Sequence, residues 1–276
     1  VSGHAADVVR FGTVVLTGAT SGIGAATAQA LAARADHLVL LGRESSAAAE
    51  PALAAIRSGG DAAIDYVPAD YTELAQVRDA ATRVLSLAPR IDLLINDAGM
   101  PGLPERVMTV DGNERTLQVN ALGAALLTSL LVPALGDGSR IVNVCSAAHH
   151  VDDFDPADPG FTRGYSAVDA YARSKSALLA WSLAQAERLR PSGIDVVALC
   201  PGLNDTPLSA AMMGRIGGPP VRGARLVLRA AETASPTGTY FEGGSPASPS
   251  PAIRDSGYRS AVEQCIAERI TLPVGQ

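Results

Sequence analysis

Thr13-Val14-Val15-Leu16-Thr17-Gly18-Ala19-Thr20-Ser21-Gly22-Ile23-Gly24 passes from a β-branched, apolar run into three closely spaced glycines. The run reads as a buried strand, and the Ala-rich segment that follows, through about Arg34, reads as a helix. Glycines between a strand and a helix let the backbone turn tightly and approach a pyrophosphate. The free N–H groups at the helix start favour the charge of that group. An ordinary glycine-rich turn gives the same composition, so the weight comes from the strand-to-helix context.

Downstream, the alternation continues. His37 to Leu41, Ala62 to Val67, Ile91 to Ile95, Arg140 to Cys145 and Ile194 to Leu199 read as strands. Ser45 to Ser58, Tyr71 to Leu87, Asp111 to Leu135 and Ser166 to Leu189 read as helices, and Ser256 to Ile270 as a terminal helix. Strands alternating with helices predict one domain over residues 1–276, an α/β fold with a doubly wound parallel sheet covered on both faces. Val1 to Phe11 is expected to be a flexible lead-in. Two segments interrupt the rhythm: 147–164, with Pro156, Pro159, Gly160, Gly164 and four Asp residues, and 204–220, with Met212, Met213 and a Gly/Pro cluster. Both follow strand ends, where an open α/β sheet binds ligands, and both are expected to be active-site loops. Gly243 to Pro251 reads as a surface segment.

Composition narrows the partners. Aromatic residues make up only 4% of the chain, so the core is built from Ala, Val, Leu and Ile. A net charge of −6 with scattered Lys and Arg argues against nucleic acid. The longest apolar runs read as too short for a membrane span, and a signal-peptide pattern is missing, so a cytoplasmic location is expected. Cys145, Cys200 and Cys265 are odd in number and far apart, which favours free thiols. No Cys/His or carboxylate cluster has metal-ligand spacing, so no metal site is expected.

Tyr171-Ala172-Arg173-Ser174-Lys175 supplies the chemistry. Residues four apart share a helical face, so the Tyr171 hydroxyl and the Lys175 ammonium point into one space. A phenol is a poor acid–base group at neutrality unless a nearby cation favours its anion. A core aromatic beside a solvated lysine would look the same, and the remaining motifs separate the two readings.

Those motifs resemble the short-chain dehydrogenase/reductase superfamily from about Gly12 to Glu268. Thr17-Gly18-x-x-x-Gly22-x-Gly24 is similar to its glycine motif, and Asn96-Asp97-Ala98-Gly99 resembles its Asn-Asn-Ala-Gly, with Asp97 replacing the second Asn and its amide donors. Asn120, Ser146, Tyr171 and Lys175 match the family's catalytic set, although Asn120 could merely bond a helix kink and Ser146 could cap a turn. His149 and His150 read as loop residues. Pro201-Gly202 and Thr206 match the run that reaches the nicotinamide carboxamide. Ser146-Ala147-Ala148-His149 and the insertion before Tyr171 resemble the retinol-dehydrogenase-like and related bacterial members, as does the closing segment from Ser235 to Phe241.

The resemblance implies a Rossmann-type three-layer sandwich of about seven strands and a dinucleotide cofactor. Gly18, Thr20, Ser21, Gly22, Ile23 and Gly24 would hold it, together with Asn96, Ala98, Gly99, Tyr171, Lys175, Pro201, Gly202 and Thr206. Asp70 resembles the residue that bonds the adenine amino group, and as a helix N-cap it would look the same. Leu40-Leu41-Gly42-Arg43 ends in a cation suited to a 2′-phosphate, which favours NADP(H) over NAD(H), unless Glu44 turns inward. The implied reaction interconverts a small-molecule carbonyl and an alcohol, with Tyr171 as general acid–base group. A non-redox catalyst on the same fold (dehydratase, cyclase or isomerase) and an NADP-sensing binding protein are the alternatives. Relatives commonly pair through long helices, so a homodimer or homotetramer is possible.

Overall fold

The computed structural model describes residues 9–271. Among the described residues, eight strands form one sheet: β1 Phe11–Thr17, β2 Ala35–Gly42, β3 Ala63–Pro68, β4 Ile91–Asn96, β5 Leu135–Val144, β6 Asp195–Cys200, β7 Tyr240–Glu242 and β8 Ser245–Ala247. Their order is β3-β2-β1-β4-β5-β6-β7-β8. Neighbours are parallel except β7 and β8, which form a short antiparallel hairpin. The chain winds outward from β1 to β3, then returns to place β4 on the other side of β1. That reversal opens a crevice at the C-terminal ends of β1 and β4, where a doubly wound sheet holds its ligand.

The flanking helices are α1 Gly22–Leu31, α2 Ser46–Arg57, α3 Leu74–Leu87, α4 Arg115–Leu117, α5 Gly123–Leu131, α6 Ala167–Leu189, α7 Pro207–Met213, α8 Pro220–Glu232, α9 Pro251–Arg254 and α10 Ser256–Thr271. Because successive strand side chains point to opposite faces, the sheet separates two cores. Val15, Val39, Leu94 and Ile141 pack under α3, α5, α6 and α10. Val14, Leu16, Leu38, Leu40 and Val142 pack under α1, α2 and α8. The result is a three-layer sandwich with one more strand than expected.

Several local expectations change. The helix expected from Asp111 begins at Arg115, and Asp111 instead accepts from the Leu74 N–H at 2.9 Å, serving the start of α3. Between α4 and α5, Gln118–Leu122 forms a π turn centred on Asn120. The segment 204–220 contains α7, and α8 and the β7–β8 hairpin follow where no element was expected. Phe11 already pairs with Ala35 inside β1, so the lead-in is shorter than expected, and residues 1–8 of it lie outside the described residues. Arg115–Ala134 is, against expectation, long and apolar enough to cross a membrane by length and composition. Its apolar window is 72% buried inside the fold, as a core helix would be.

Candidate active site

A cavity of about 430 Å³ opens at the C-terminal ends of β1, β4, β5 and β6. Its floor is the turn between β1 and α1. Gly18 and Gly22 have φ of +71° and +55°, values that other L-residues rarely adopt. A Cβ on Gly18 would lie 2.9 Å from Ala98 Cα, and one on Gly24 would lie 2.2 Å from the Gly18 carbonyl oxygen. Ser21 caps α1 with extended backbone but makes no side-chain bond to its first turn. The free N–H groups there form an anion site beside Gly22 and Ile23. A turn this tight, open toward the cavity and ending in unpaired helix donors, fits a dinucleotide pyrophosphate.

The catalytic candidates come from two elements. Ser146 follows β5 and starts a 3₁₀ turn, its Oγ accepting from the Ala148 N–H at 3.2 Å. Tyr171 and Lys175 project from α6, and all three line the cavity. Lys175 is buried, donates to the Val144 carbonyl at 3.0 Å, and places Nζ 5.9 Å from the Tyr171 ring centre. Opposite them lie Pro201, Gly202 and Thr206, with Thr206 capping α7 through a reciprocal box with Ser209. Ala98 and Gly99 complete the wall.

Asn120 is buried one layer back. Its Oδ1 accepts from the Met100 N–H at 2.7 Å, and its Nδ2 donates to the Met100 carbonyl and to Ser174 Oγ. A Cβ on Gly99 would lie 3.3 Å from Asn120 Oδ1 and 3.5 Å from Lys175 Nζ, so the two side chains approach the same point. Asn96 does not reach the cavity: its Nδ2 donates to Thr128 Oγ1 and Asn143 Oδ1 across the sheet. Asp70 does not cap α3, whose N-cap is Glu73. It closes a local turn by accepting from the Thr72 N–H at 2.9 Å.

The end of β2 differs most from its sequence reading. Thr20 Oγ1 donates to Glu44 at 2.8 Å, so Glu44 does turn inward. Burial opposes the Glu44 charge, but the Thr20 bond and the neighbouring Arg43 outweigh it and hold the carboxyl below its usual value. Arg43 reaches Glu44 at 3.5 Å and keeps a side chain 80% exposed, outside the cavity lining.

Other residues matter that the motifs did not single out. Asn204 donates to the Pro201 and Gly202 carbonyls and accepts from the Gly223 N–H, tying the turn after β6 to α8. Of the segment 147–164, only Ala148 and Val151 reach the cavity. Its Asp residues build local structure: Asp152 pairs with Arg173 at 2.6 Å and Asp158 accepts from Thr162. His149 is buried with Nδ1 2.7 Å from the Ser146 carbonyl oxygen, and burial pulls its titration down.

A doubly wound sheet whose first glycine turn shares a cavity with a Ser, a Tyr and a Lys defines a dinucleotide-binding catalytic class. The short chain dehydrogenase family model matches residues 12–214. The chain belongs to that family of oxidoreductases, and within it to the retinol-dehydrogenase-like members. It is 41% identical to polyprenol dehydrogenase of Mus musculus over 205 residues, covering 70% of this chain and 60% of that protein. It is 34% identical to retinol dehydrogenase 13 of Homo sapiens over 267 residues, covering 88% of this chain and 80% of that protein. A short chain dehydrogenase from Burkholderia cenocepacia J2315, solved in complex with NADP, superposes with a TM-score of 0.69 at 27% identity, covering 86% of this chain and 97% of that one.

Proposed function

We propose that the protein is an NADP(H)-dependent oxidoreductase that interconverts a carbonyl and an alcohol, with reduction as the favoured direction. The observation that carries this reading is the shared cavity of Ser146, Tyr171 and Lys175 with the β1–α1 glycine turn. The bound dinucleotide supplies or accepts the hydride. Ser146 Oγ already accepts from Ala148, so its own proton is free to donate to the substrate oxygen. Tyr171 donates the second hydrogen bond and hands its proton to that oxygen as the alcohol forms. Lys175 commits one donor to Val144, which holds the ammonium in place and leaves two N–H groups for the cofactor's ribose hydroxyls. Its ammonium lies 5.9 Å from the Tyr171 ring centre, on the same face of α6. Asn120 braces the Met100 loop against α6, one layer behind the point where Lys175 Nζ approaches Gly99.

Although Glu44 turns inward, one of its oxygens accepts from Thr20 and the other stands 3.5 Å from Arg43, whose exposed side chain stays available to a 2′-phosphate. The NADP bound by the Burkholderia relative supports the same preference. For the substrate, the cavity lining includes exposed apolar side chains at Val151, Val168, Leu203 and Met213. This favours an uncharged, apolar carbonyl compound. The test is NADPH oxidation across a panel of apolar aldehydes and ketones with the wild type and Tyr171→Phe. The variant is expected to lose turnover by at least about 100-fold while binding NADPH with nearly unchanged affinity. Wild-type turnover retained in the variant would overturn the role of Tyr171.

A further inference from the structure

Asp97 is the position at which this chain departs from the Asn-Asn-Ala-Gly pattern, and its surroundings give the substitution a chemical meaning. Its backbone N–H is held by Thr17 Oγ1 at 3.0 Å, which fixes the side chain under the first turn of α1. There the Gly24 N–H lies near enough to favour the carboxylate, and Asp97 Oδ2 and the Gly18 carbonyl oxygen both crowd the position a Gly24 Cβ would take, at 2.7 and 2.2 Å. An asparagine brings an oxygen and donors to this corner. An ionised carboxylate only accepts, whereas a neutral carboxylic acid keeps one C=O and regains one O–H donor.

Charge points the same way. Asp97 lines the cavity beside Ser21, Gly22 and Ile23, where the free donors of α1 make the anion site. An ionised Asp97 would set a negative charge against the pyrophosphate there. Among the ionisable groups that face Asp97, Lys175 from α6 is the cation that opposes protonation. Tyr171 from α6 and Cys145 after β5 line the same cavity, with burial pushing the Cys145 thiol up to about 12. The first turn of α1 carries no acidic residue, and β1 ends in Thr17. Burial raises the Asp97 carboxyl to about 7 even against Lys175 and the Gly24 N–H, so little is needed to keep it protonated.

We propose that Asp97 is a positioning residue for the dinucleotide that acts as a neutral acid under the first turn of α1, beside the anion site, and that dinucleotide binding draws a proton onto its carboxylate. The proton comes from solvent and converts COO⁻ to COOH, with no electron transferred. The proposal rests on the reading of this cavity as a dinucleotide site.

Calorimetric titration of the full chain with NADPH between pH 7.5 and 9, in two buffers of different ionisation enthalpy, tests it. The phosphate of NADPH titrates near pH ~6, below this range. For a one-unit rise of the Asp97 pKa from about 7 on binding, the wild type is expected to take up about half a proton per NADPH bound near pH 7.5, falling to about 0.2 near pH 8.5, with Kd rising about 3-fold from pH 7.5 to 9. Asp97→Asn is expected to bind with no buffer dependence and a flat Kd. Equal proton uptake in the variant, or none in the wild type, overturns the proposal while leaving the dinucleotide site standing. Absence of NADPH and NADH binding to the wild type overturns both. Should the variant not fold, the wild-type proton count alone decides.

Discussion

Replacing Gly24 with alanine sets two effects of opposite sign against each other at the centre of the cofactor turn. Gly24 lies inside α1, where alanine is favoured over glycine by about 1 kcal/mol. Against this, the new Cβ would stand 2.2 Å from the Gly18 carbonyl oxygen, 2.8 Å from its carbon and 2.7 Å from Asp97 Oδ2. Two of those atoms are backbone and cannot rotate aside. The turn itself is tied down, since the Ala19 N–H bonds the Leu41 carbonyl at 3.0 Å and Gly18 abuts Ala98. Relief requires α1 to move off the sheet, an overpacking cost of about 1–3 kcal/mol that falls at the upper end here because backbone atoms must give way. The clash wins, with a net loss of about 1–2 kcal/mol. For a domain of this size that lowers Tm by about 2–4 °C per kcal/mol. Urea denaturation with and without NADPH would read both consequences, lower stability and weaker binding. A variant as stable as the wild type with unchanged NADPH affinity would refute the close approach on which the site is built.

Arg43→Ala should weaken NADPH binding about 10- to 100-fold, the range of a charge-assisted phosphate contact, and leave NADH unaffected. Fluorescence titration with both cofactors checks this, and equal effects would remove Arg43 from the 2′-phosphate. Thr17→Val deletes the oxygen that accepts from both the Asp97 and Ala98 N–H groups at 3.0 Å. With two donors orphaned, it should cost about 2–4 kcal/mol in urea denaturation, and a change within experimental error would contradict it. For pH, Asp97 titrates at about 7 in the fold against 3.8 as the ordinary value, so the folded state binds the extra proton between the two. Its contribution is fully present below about pH 4 and is lost as pH rises to about 7. At about 1.4 kcal/mol per pH unit the ceiling is roughly 4 kcal/mol, reduced because the residue is partly exposed. Asp97→Asn should therefore be more stable than the wild type at pH 8, with the gap closing toward pH 4. A gap of the same size at both pH values would rule out titration as its cause.

Much of this architecture is legible in order along the chain. The run Thr13 to Thr17 is apolar without alternation because β1 is covered on both faces. Gly18 and Gly22 signal positive φ because no other residue is at ease there. Tyr171 and Lys175 share a face because of helical spacing alone. By contrast, α8 is hard to read from sequence although Ala224, Val227, Leu228 and Ala231 repeat at helical spacing, because Arg222, Arg225 and Arg229 share the segment and the Gly/Pro cluster before it reads as irregular chain. The hairpin strands β7 and β8 have three residues each, too few for any period to show.

Within the site the division follows the range of the interaction. Tyr171, Lys175 and the glycine turn are readable from the sequence because their spacing from neighbours sets their geometry, whereas Ser146 is placed by the family resemblance. What each polar group bonds to is decided only by the folded chain. Asn96 faces Asn143 and Thr128 across strands, Asn120 holds Met100 and Ser174, and Glu44 turns to Thr20 across 24 positions of sequence. The same holds for charge. The letter at position 97 shows only that an amide is lost, whereas burial against the first turn of α1 decides how the carboxyl titrates. Periodicity and turn chemistry act over a few bonds and are written in the sequence; desolvation and hydrogen-bond partnership act through space, and tertiary packing alone determines them.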